Sequence, residues 1–282
     1  MSKIAIVTDT GTDLTPEQTA ELGIHVVPLM VTFGTETFPS SDLSIEDYWA
    51  RVKAGGRPGT SQPPTGLYEQ VYRQLVEAGQ QVLCLAITSK HSGTFNSAWL
   101  AAQNFPGQVT VFDTLSLALA QAYQAITAAR MAREGASMEA ILQRLESIRA
   151  RTHFVIALDT IESLRRGGRA DQIIPVLERV VRVLSIKPLL EIRDGQLKLL
   201  GAARSREKSH RQIIDELAKH TPVEAAMVCH TRSADIAPAF AAALAARLGV
   251  PVESIPIAET GAILASHAGP GVIAAGVIQA ER

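Results

Sequence analysis

The sequence predicts two mixed α/β domains, the first a mostly parallel sheet flanked by helices and the second containing a β-hairpin. Three observations lead there. At 282 residues the chain is longer than one compact core usually organises. Over the first half, short β-rich apolar runs alternate with helical patterns, the rhythm of a parallel sheet. In the second half, Asp194-Gly195 separates IKPLLEIR from QLKLLGAAR, and this dipeptide between two apolar runs is a strong hairpin signal. The division is expected near Leu158, giving an N-terminal domain over 1–158 and a C-terminal domain over 159–282.

In the first half, the apolar runs IAIVT, IHVVPLMVTF, VLCLAIT, VTVFD and FVIALD are the expected strands. The first helix lies in DLTPEQTAELG, where Thr15 is placed to cap, Pro16 to open the first turn and Gln18 to close a capping box. Ser44 caps a second helix in IEDYWARVKAGG. Apolar residues then recur at helical spacing over 116–134 and 137–150, interrupted at Gly135. Beyond the boundary the expected elements are a helix over 172–184, the hairpin, a helix over 205–219, the strand VEAAMVCH, a helix over 233–248 and the strand VESIPI.

Composition excludes several functional classes. Hydrophobic residues make up 46% of the chain against 20% charged, ample apolar material to offset chain entropy and inconsistent with disorder. With 27 Lys and Arg against 28 Asp and Glu, there is no global field to grip a polyphosphate backbone, so nucleic acid is not an expected partner. Cys84 and Cys229 both sit in apolar runs, as small core residues of a reducing compartment do. No uninterrupted apolar run approaches the ~18 residues of a membrane span. AILASHAGPGVIAAGVIQA comes nearest and is broken by Ser266, His267 and Pro270. The opening MSKIAIVTDT lacks the pattern of a secretory signal, so the expected location is the cytoplasm, without stable membrane insertion.

Phosphate loops of the Walker type, GxGxxG, GxSxG, HExxH and CxxC are all absent. In their place, hydroxyl residues gather at three expected turns: Thr8 to Asp13, Gly59 to Pro64, and Thr88 to Thr94. Such turns at the carboxyl edge of an α/β sheet suit a small anion, because hydroxyls and helix-start amides hold a carboxylate without a full opposite charge. Helix capping is the plainer use of any one of them, and their repetition along one edge favours binding. Asp9 and Asp13 read either as an acid–base or metal pair or as structural groups. With no third ligand nearby, the structural reading is preferred: Asp9 bonding turn amides, Asp13 assisting the helix start. A Ser92–histidine arrangement through His91 or His267 would need an orienting carboxylate that sequence does not place.

Two polar glycine-rich segments complete the inventory, Leu164-Arg165-Arg166-Gly167-Gly168-Arg169 and Ser266-His267-Ala268-Gly269-Pro270-Gly271. Arg165 and Arg166 read as a solvated helix face, whereas Arg169 follows two glycines and suits an anion. Arg204 and Arg206 at a helix start oppose its dipole, so they are either plain surface charges or are compensated by an external anion.

In order and spacing, IVTDTGTDL, TSQPPTG, TSKHSGTFNSA, FDTLSLALA, LDTIESLRRGGR, LSIKPLLEIRDGQL and SHAGPGV resemble the DegV family of bacterial fatty-acid-binding proteins over nearly the whole chain. The resemblance implies two α/β domains enclosing one long-chain fatty acid, with the second domain covering the acyl chain. It implies a carboxylate held by Thr60, Ser61 and Ser92 with Gly93 and Thr94 adjacent. It also implies a noncatalytic carrier with no cofactor or metal, whose partner is a fatty acid kinase that phosphorylates the presented carboxylate. Arg169, Arg204 and His267 match positions associated with the phosphate end or with kinase docking. The chain departs from the usual pattern at Thr10-Gly11-Thr12, at Pro64-Thr65 and at His91, where an apolar residue is common. A fatty acid is physically reasonable, since each buried methylene contributes about 0.8 kcal/mol and a sixteen-carbon chain roughly ten before association costs. The helix LSLALAQAYQAITAA reads either as the lining of a channel or as ordinary core against the sheet.

Two other classes compete: a phosphotransferase or hydrolase for a small anion at the domain interface, using Asp9, Ser92 and His267, and a regulatory protein whose lipid is a signal.

Overall fold

The computed structural model describes residues 3–168, 174–175, 178 and 186–281. The chain divides into two compact units, one of Met1–Ala150 with Gly261–Ile263, the other of Arg151–Thr260 with Leu264–Arg282. The expected boundary at Leu158 therefore moves to Ala150, and FVIALD belongs to the second unit.

In chain order the first unit contains β1 (Ile4–Asp9), α1 (Pro16–Leu22), β2 (Ile24–Val27), β3 (Met30–Phe33), β4 (Glu36–Pro39), α2 (Ile45–Lys53) and β5 (Pro58–Ser61). It continues with α3 (Thr65–Glu77), β6 (Gln81–Ala86), α4 (Thr94–Ala102), β7 (Val109–Asp113), α5 (Ala118–Arg133) and α6 (Met138–Ala150). Local chemistry sets several of these limits. Thr15 and Gln18 form the expected capping box around Pro16, Gly23 ends α1 in the left-handed region, and Ser44 caps α2 by accepting from Asp47 N.

Its main sheet runs β2-β1-β6-β7, all parallel. Both faces are covered, which is why these strands read as continuous apolar runs. Ala5, Val7, Val82 and Cys84 face Tyr68, Tyr72, Ala98 and Ala101 of α3 and α4. The alternate residues Ile6, Leu83 and Leu85 face Ala125, Ala128, Ile141 and Leu145 of α5 and α6. The later turns of α5 are thus sheet core, through Ala125, Ala128 and Ala129.

IHVVPLMVTF does not form one strand. It breaks at Pro28, and its second part, β3, joins a separate antiparallel sheet in the order β4-β3-β5. Proline cannot donate to a ladder, so the chain leaves one sheet there and enters another.

The second unit contains β8 (Thr152–Ala157), α7 (Glu162–Gly167), β9 (Lys187–Arg193), β10 (Gln196–Ala203), α8 (Arg206–Ala218), β11 (Val223–Thr231) and α9 (Ala237–Leu248). β12 (Ile257–Glu259), α10 (Ala262–Ala268) and β13 (Val272–Gln279) complete the described elements. The sheet order is β10-β9-β8-β13-β11-β12, antiparallel except for the pair β11–β12. Helices α8 and α9 cover one face through Ile213, Leu217, Phe240 and Leu244, which pack on Val155, Val228, Ile273 and Val277. Asp194 and Gly195 at φ 52° and 76° make the expected hairpin turn. The expected helix over 172–184 falls largely outside the described residues. VESIPI is a 3-10 turn at Val252–Ser254 followed by the short β12. β13 is a strand that the sequence pattern does not announce, because alanine and glycine dilute its β-character. Among the described residues, no helix is long and apolar enough to cross a membrane.

The packing of β13 on β8 turns on Gly276. A Cβ there would lie 2.6 Å from Phe154 Cδ2 and 3.1 Å from His153 O. Gly276→Ala is expected to cost about 1–3 kcal/mol in chemical denaturation, and Phe154→Leu in the same chain to recover part of it. A Gly276→Ala protein as stable as wild type would contradict this close packing.

Candidate functional site

In the order β2-β1-β6-β7, chain connections leave β1 in opposite directions, which makes the carboxyl ends of β1 and β6 the switch point where open α/β sheets bind ligands. Asp9 closes that point. Its Oδ1 accepts from Gly11 N at 2.8 Å and Gln121 Nε2 at 3.2 Å, and its Oδ2 accepts from Ile87 N at 2.8 Å. Burial pushes the carboxyl up to about 6, against the lowering effect of these three donors. Both oxygens are committed to structure, the reading preferred for Asp9 from sequence.

Asp13 differs from its expected role at the helix start. It sits in the left-handed region at φ 56°, and its Oδ1 accepts from Gly261 N at 2.9 Å. Its Oδ2 is buried and has no hydrogen bond partner among the described residues. Burial raises its carboxyl to about 7, with the Gly261 amide opposing and the Asp9 charge adding to the rise.

The hydroxyl-bearing segments lie near this edge. Thr60 and Ser61 belong to a strand, not a turn: they end β5 and pair with Val31 and Met30. Ser61 is exposed and Thr60 is half-buried. Ser92 and Thr94 share a hydrogen bond of 2.7 Å between their hydroxyls, and Thr94 N donates to Ser92 Oγ at 3.2 Å. Between them Gly93 carries the side chain of Gln62 on its backbone, since a Cβ there would meet Gln62 Cδ at 3.0 Å. The structure therefore brings the end of β5 and the start of α4 side by side. Gln62 has no sequence signal that marks it for this contact, which links two segments that sequence shows only separately.

The link from β7 to α5 is strained. Leu115 and Ala118 adopt φ 47° and 51°, where an L-residue other than glycine costs about 1–2 kcal/mol. Hydrogen bonds hold the link to the segment leading into Ser92. Ser89 N and Leu115 N donate to Asp113 Oδ1 at 3.2 and 3.1 Å, and Thr88 N donates to Ser116 O at 3.0 Å.

In the second unit, Asp159 gathers two cations, Lys187 Nζ at 2.8 Å and Arg206 Nη2 at 3.2 Å. Burial opposes its ionisation, yet the hydrogen bonds and charges of Lys187 and Arg206 prevail and hold the carboxyl below its ordinary value. The anion beside Arg206 is thus Asp159 of the chain itself, which is neither of the two alternatives read from sequence, a plain surface charge or an external anion. Arg204 is exposed, as are Arg165 and Arg166, and Arg165 lies 3.7 Å from Glu178. Arg169 lies outside the described residues. His267 rests against the last turn of α7, where a Cβ on Gly167 would overlap its imidazole. The following turn is tied to β11 by Gly271 N donating to Thr231 O at 2.8 Å and by Thr231 Oγ1 donating to Gly269 O. Among the described residues, no group of three or more His, Cys, Asp or Glu is arranged to hold a metal ion.

A family model described as "Uncharacterised protein, DegV family" matches residues 3–280. A DegV domain-containing protein of Deinococcus radiodurans is 36% identical over 277 residues, covering 96% of each chain. Among solved structures, a DegV family protein from Thermus thermophilus, described for its fatty acid binding, is 33% identical with TM-score 0.86 over 99% of this chain and 100% of that one. A stearic-acid-binding protein from Eubacterium ventriosum is 27% identical with TM-score 0.88, over 99% of this chain and 98% of that one.

The two raised carboxyls predict opposite responses to amidation. Relative to an unfolded carboxyl near 3.8, Asp13 contributes stability that is complete below that pH and is lost as pH rises through about 7. Asp13→Asn retains an acceptor for Gly261 N and removes the charge. It is expected to stabilise the protein by about 1–3 kcal/mol at pH 8 and to flatten the fall in stability across that interval. Asp9→Asn sets an amide NH2 against a backbone donor and is expected to destabilise by about 1–3 kcal/mol. Urea midpoints measured from pH 4 to pH 8 check both, and equal midpoints for Asp13→Asn and wild type at pH 8 would refute the first.

Proposed function

The chain belongs to the DegV family, and from that premise we propose that it binds one long-chain fatty acid, performs no chemistry on it, and presents the carboxylate to a separate fatty acid kinase. The observation carrying this reading is the seating of Gln62 on Gly93, which sets the hydroxyl-bearing end of β5 beside the Ser92–Thr94 turn. In this reading Thr60, Ser61 and Ser92 hold the carboxylate, with Gly93 allowing close backbone approach and Thr94 orienting Ser92. With Thr94 Oγ1 as donor in its pair with Ser92, the Ser92 hydroxyl hydrogen is available to a ligand oxygen.

Neutral hydroxyls suit a carboxylate that is to react. They hold it by charge-assisted hydrogen bonds and leave its negative charge unpaired, so it remains a competent nucleophile. Bound to the kinase, a carboxylate oxygen attacks the γ-phosphorus of ATP, the bridging oxygen departs with ADP, and an acyl phosphate is left on the carrier. Arg169, Arg204 and His267 are assigned to the phosphate or partner end. The competing hydrolase or phosphotransferase reading requires Asp9 as acid or base, and Asp9 already accepts from three donors.

Organic extraction of the purified protein followed by mass spectrometry is expected to release about one long-chain acid per chain. The delipidated protein is expected to bind palmitate, and Ser61→Ala with Ser92→Ala to weaken that binding by about tenfold or more with little change in melting temperature. Absence of an extracted acid together with failure to bind palmitate would refute the proposal, and unimpaired binding by the double variant would refute the carboxylate assignment. ATP turnover by the protein alone would favour the enzymatic reading.

A further inference from the structure

Resting on that reading, we propose that the exposed face of α4 around Trp99 and Leu100 is where the kinase docks. Trp99 and Leu100 are 48% and 54% exposed, and with Val252 and Ile257 they are the exposed large apolar residues among the described ones. Val252 and Ile257 stand close in sequence to Glu253 and Glu259, as scattered surface residues do. The α4 pair has no such company. From His91 to Phe112 the chain contains no Asp, Glu, Lys or Arg, although these residues make up 20% of the whole.

Around the pair the exposed residues Asn96, Gln103 and Asn104 are uncharged, and Gln103 Nε2 donates back to Trp99 O at 3.2 Å. The cation at the border, Arg73, lies over the Phe105 ring at 5.7 Å from its centroid and is paired with Glu69 at 2.7 Å. Large apolar side chains in a neutral surround of amides have the composition of a protein interface, where charge is depleted and tryptophan carries binding energy. An anionic membrane would select lysine and arginine instead.

Position selects the protein. α4 begins at Thr94, whose hydroxyl and amide both bond to Ser92 Oγ. Trp99 and Leu100 follow five and six residues later, about 8–9 Å along the axis. An enzyme that phosphorylates a carboxylate held at Ser92 must bring its surface against this helix start, and a stable interface covers about 800 Å2 of each partner, a disc of about 16 Å radius. The whole helix, about 14 Å long, falls within that reach. A second copy of this chain on the same face would cover the Ser92 end and block the transfer, so the kinase is the occupant.

The test uses the full chain loaded with palmitate, together with ATP and the purified fatty acid kinase subunit of the same organism. Trp99→Glu and Leu100→Glu are each expected to raise the KM for the loaded carrier by about tenfold or more, with kcat, palmitate affinity and melting temperature close to wild type. Trp99→Ala combined with Leu100→Ala is expected to act in the same direction without adding charge. Ile257→Glu, the same change at an exposed apolar residue of the second unit, is expected to leave KM unaltered. Unchanged KM in the α4 variants would overturn the docking assignment and leave the carrier reading standing. So would a wild-type dimer in sedimentation, or wild-type binding to phosphatidylglycerol vesicles, that the α4 variants abolish. A wild-type carrier that binds palmitate yet is never phosphorylated would overturn the kinase part of that reading, and this inference with it.

Discussion

A carboxyl group buried at the carboxyl edge of the first sheet, with no ion pair to it among the described residues, determines much of what surrounds it. Asp9 ends β1, and its two oxygens draw in the amides of Gly11 and Ile87 and the side chain of Gln121. Those donors come from the turn after β1, the turn after β6 and helix α5, so one carboxylate fixes the relative positions of three elements at the switch point. Desolvation opposes this arrangement, and the three hydrogen bonds offset enough of it for the group to act as a clamp. The turn running to Ser92 starts from Ile87, so the geometry of the hydroxyl cluster follows from this clamp.

Such a clamp also accounts for the character of the edge. Both oxygens of Asp9 are engaged by backbone and amide donors, so this acid serves the fold at the edge where the hydroxyl residues gather. The second unit uses a carboxylate differently: Asp159 is paired with Lys187 and Arg206, and its charge is stabilised by opposite charges. The two acids thus illustrate two ways of holding a carboxylate, the buried Asp9 by donors without charge and the half-buried Asp159 by cations.

What could be read from sequence was what local chemistry decides. The capping box at Thr15, the cap at Ser44 and the hairpin at Asp194-Gly195 depend on residues within a few positions of each other, and all three appear in the structure. Sheet membership was less legible. FVIALD has the same apolar pattern whether it extends the first sheet or founds the second, and only its pairing with β9 and β13 decides. The break at Pro28 and the strand character of Thr60 and Ser61 were missed for the same reason, since β5 exists only through β3. At the candidate site the hydroxyl motifs stood out, but the contact of Gln62 with Gly93 and the acceptor role of Asp13 toward Gly261 join residues far apart in sequence. No periodicity encodes such contacts.

The assignment of Gly261–Ile263 to the first unit has a bearing on how this protein can be divided. Three residues near the end of the chain complete a unit otherwise finished by Ala150, and one of them supplies the donor to Asp13. A gene cut after codon 150 would encode an Asp13 carboxylate with that backbone donor missing. The two halves are consequently not interchangeable cassettes, and recombination between relatives has to respect a junction late in the reading frame as well as the one in its middle.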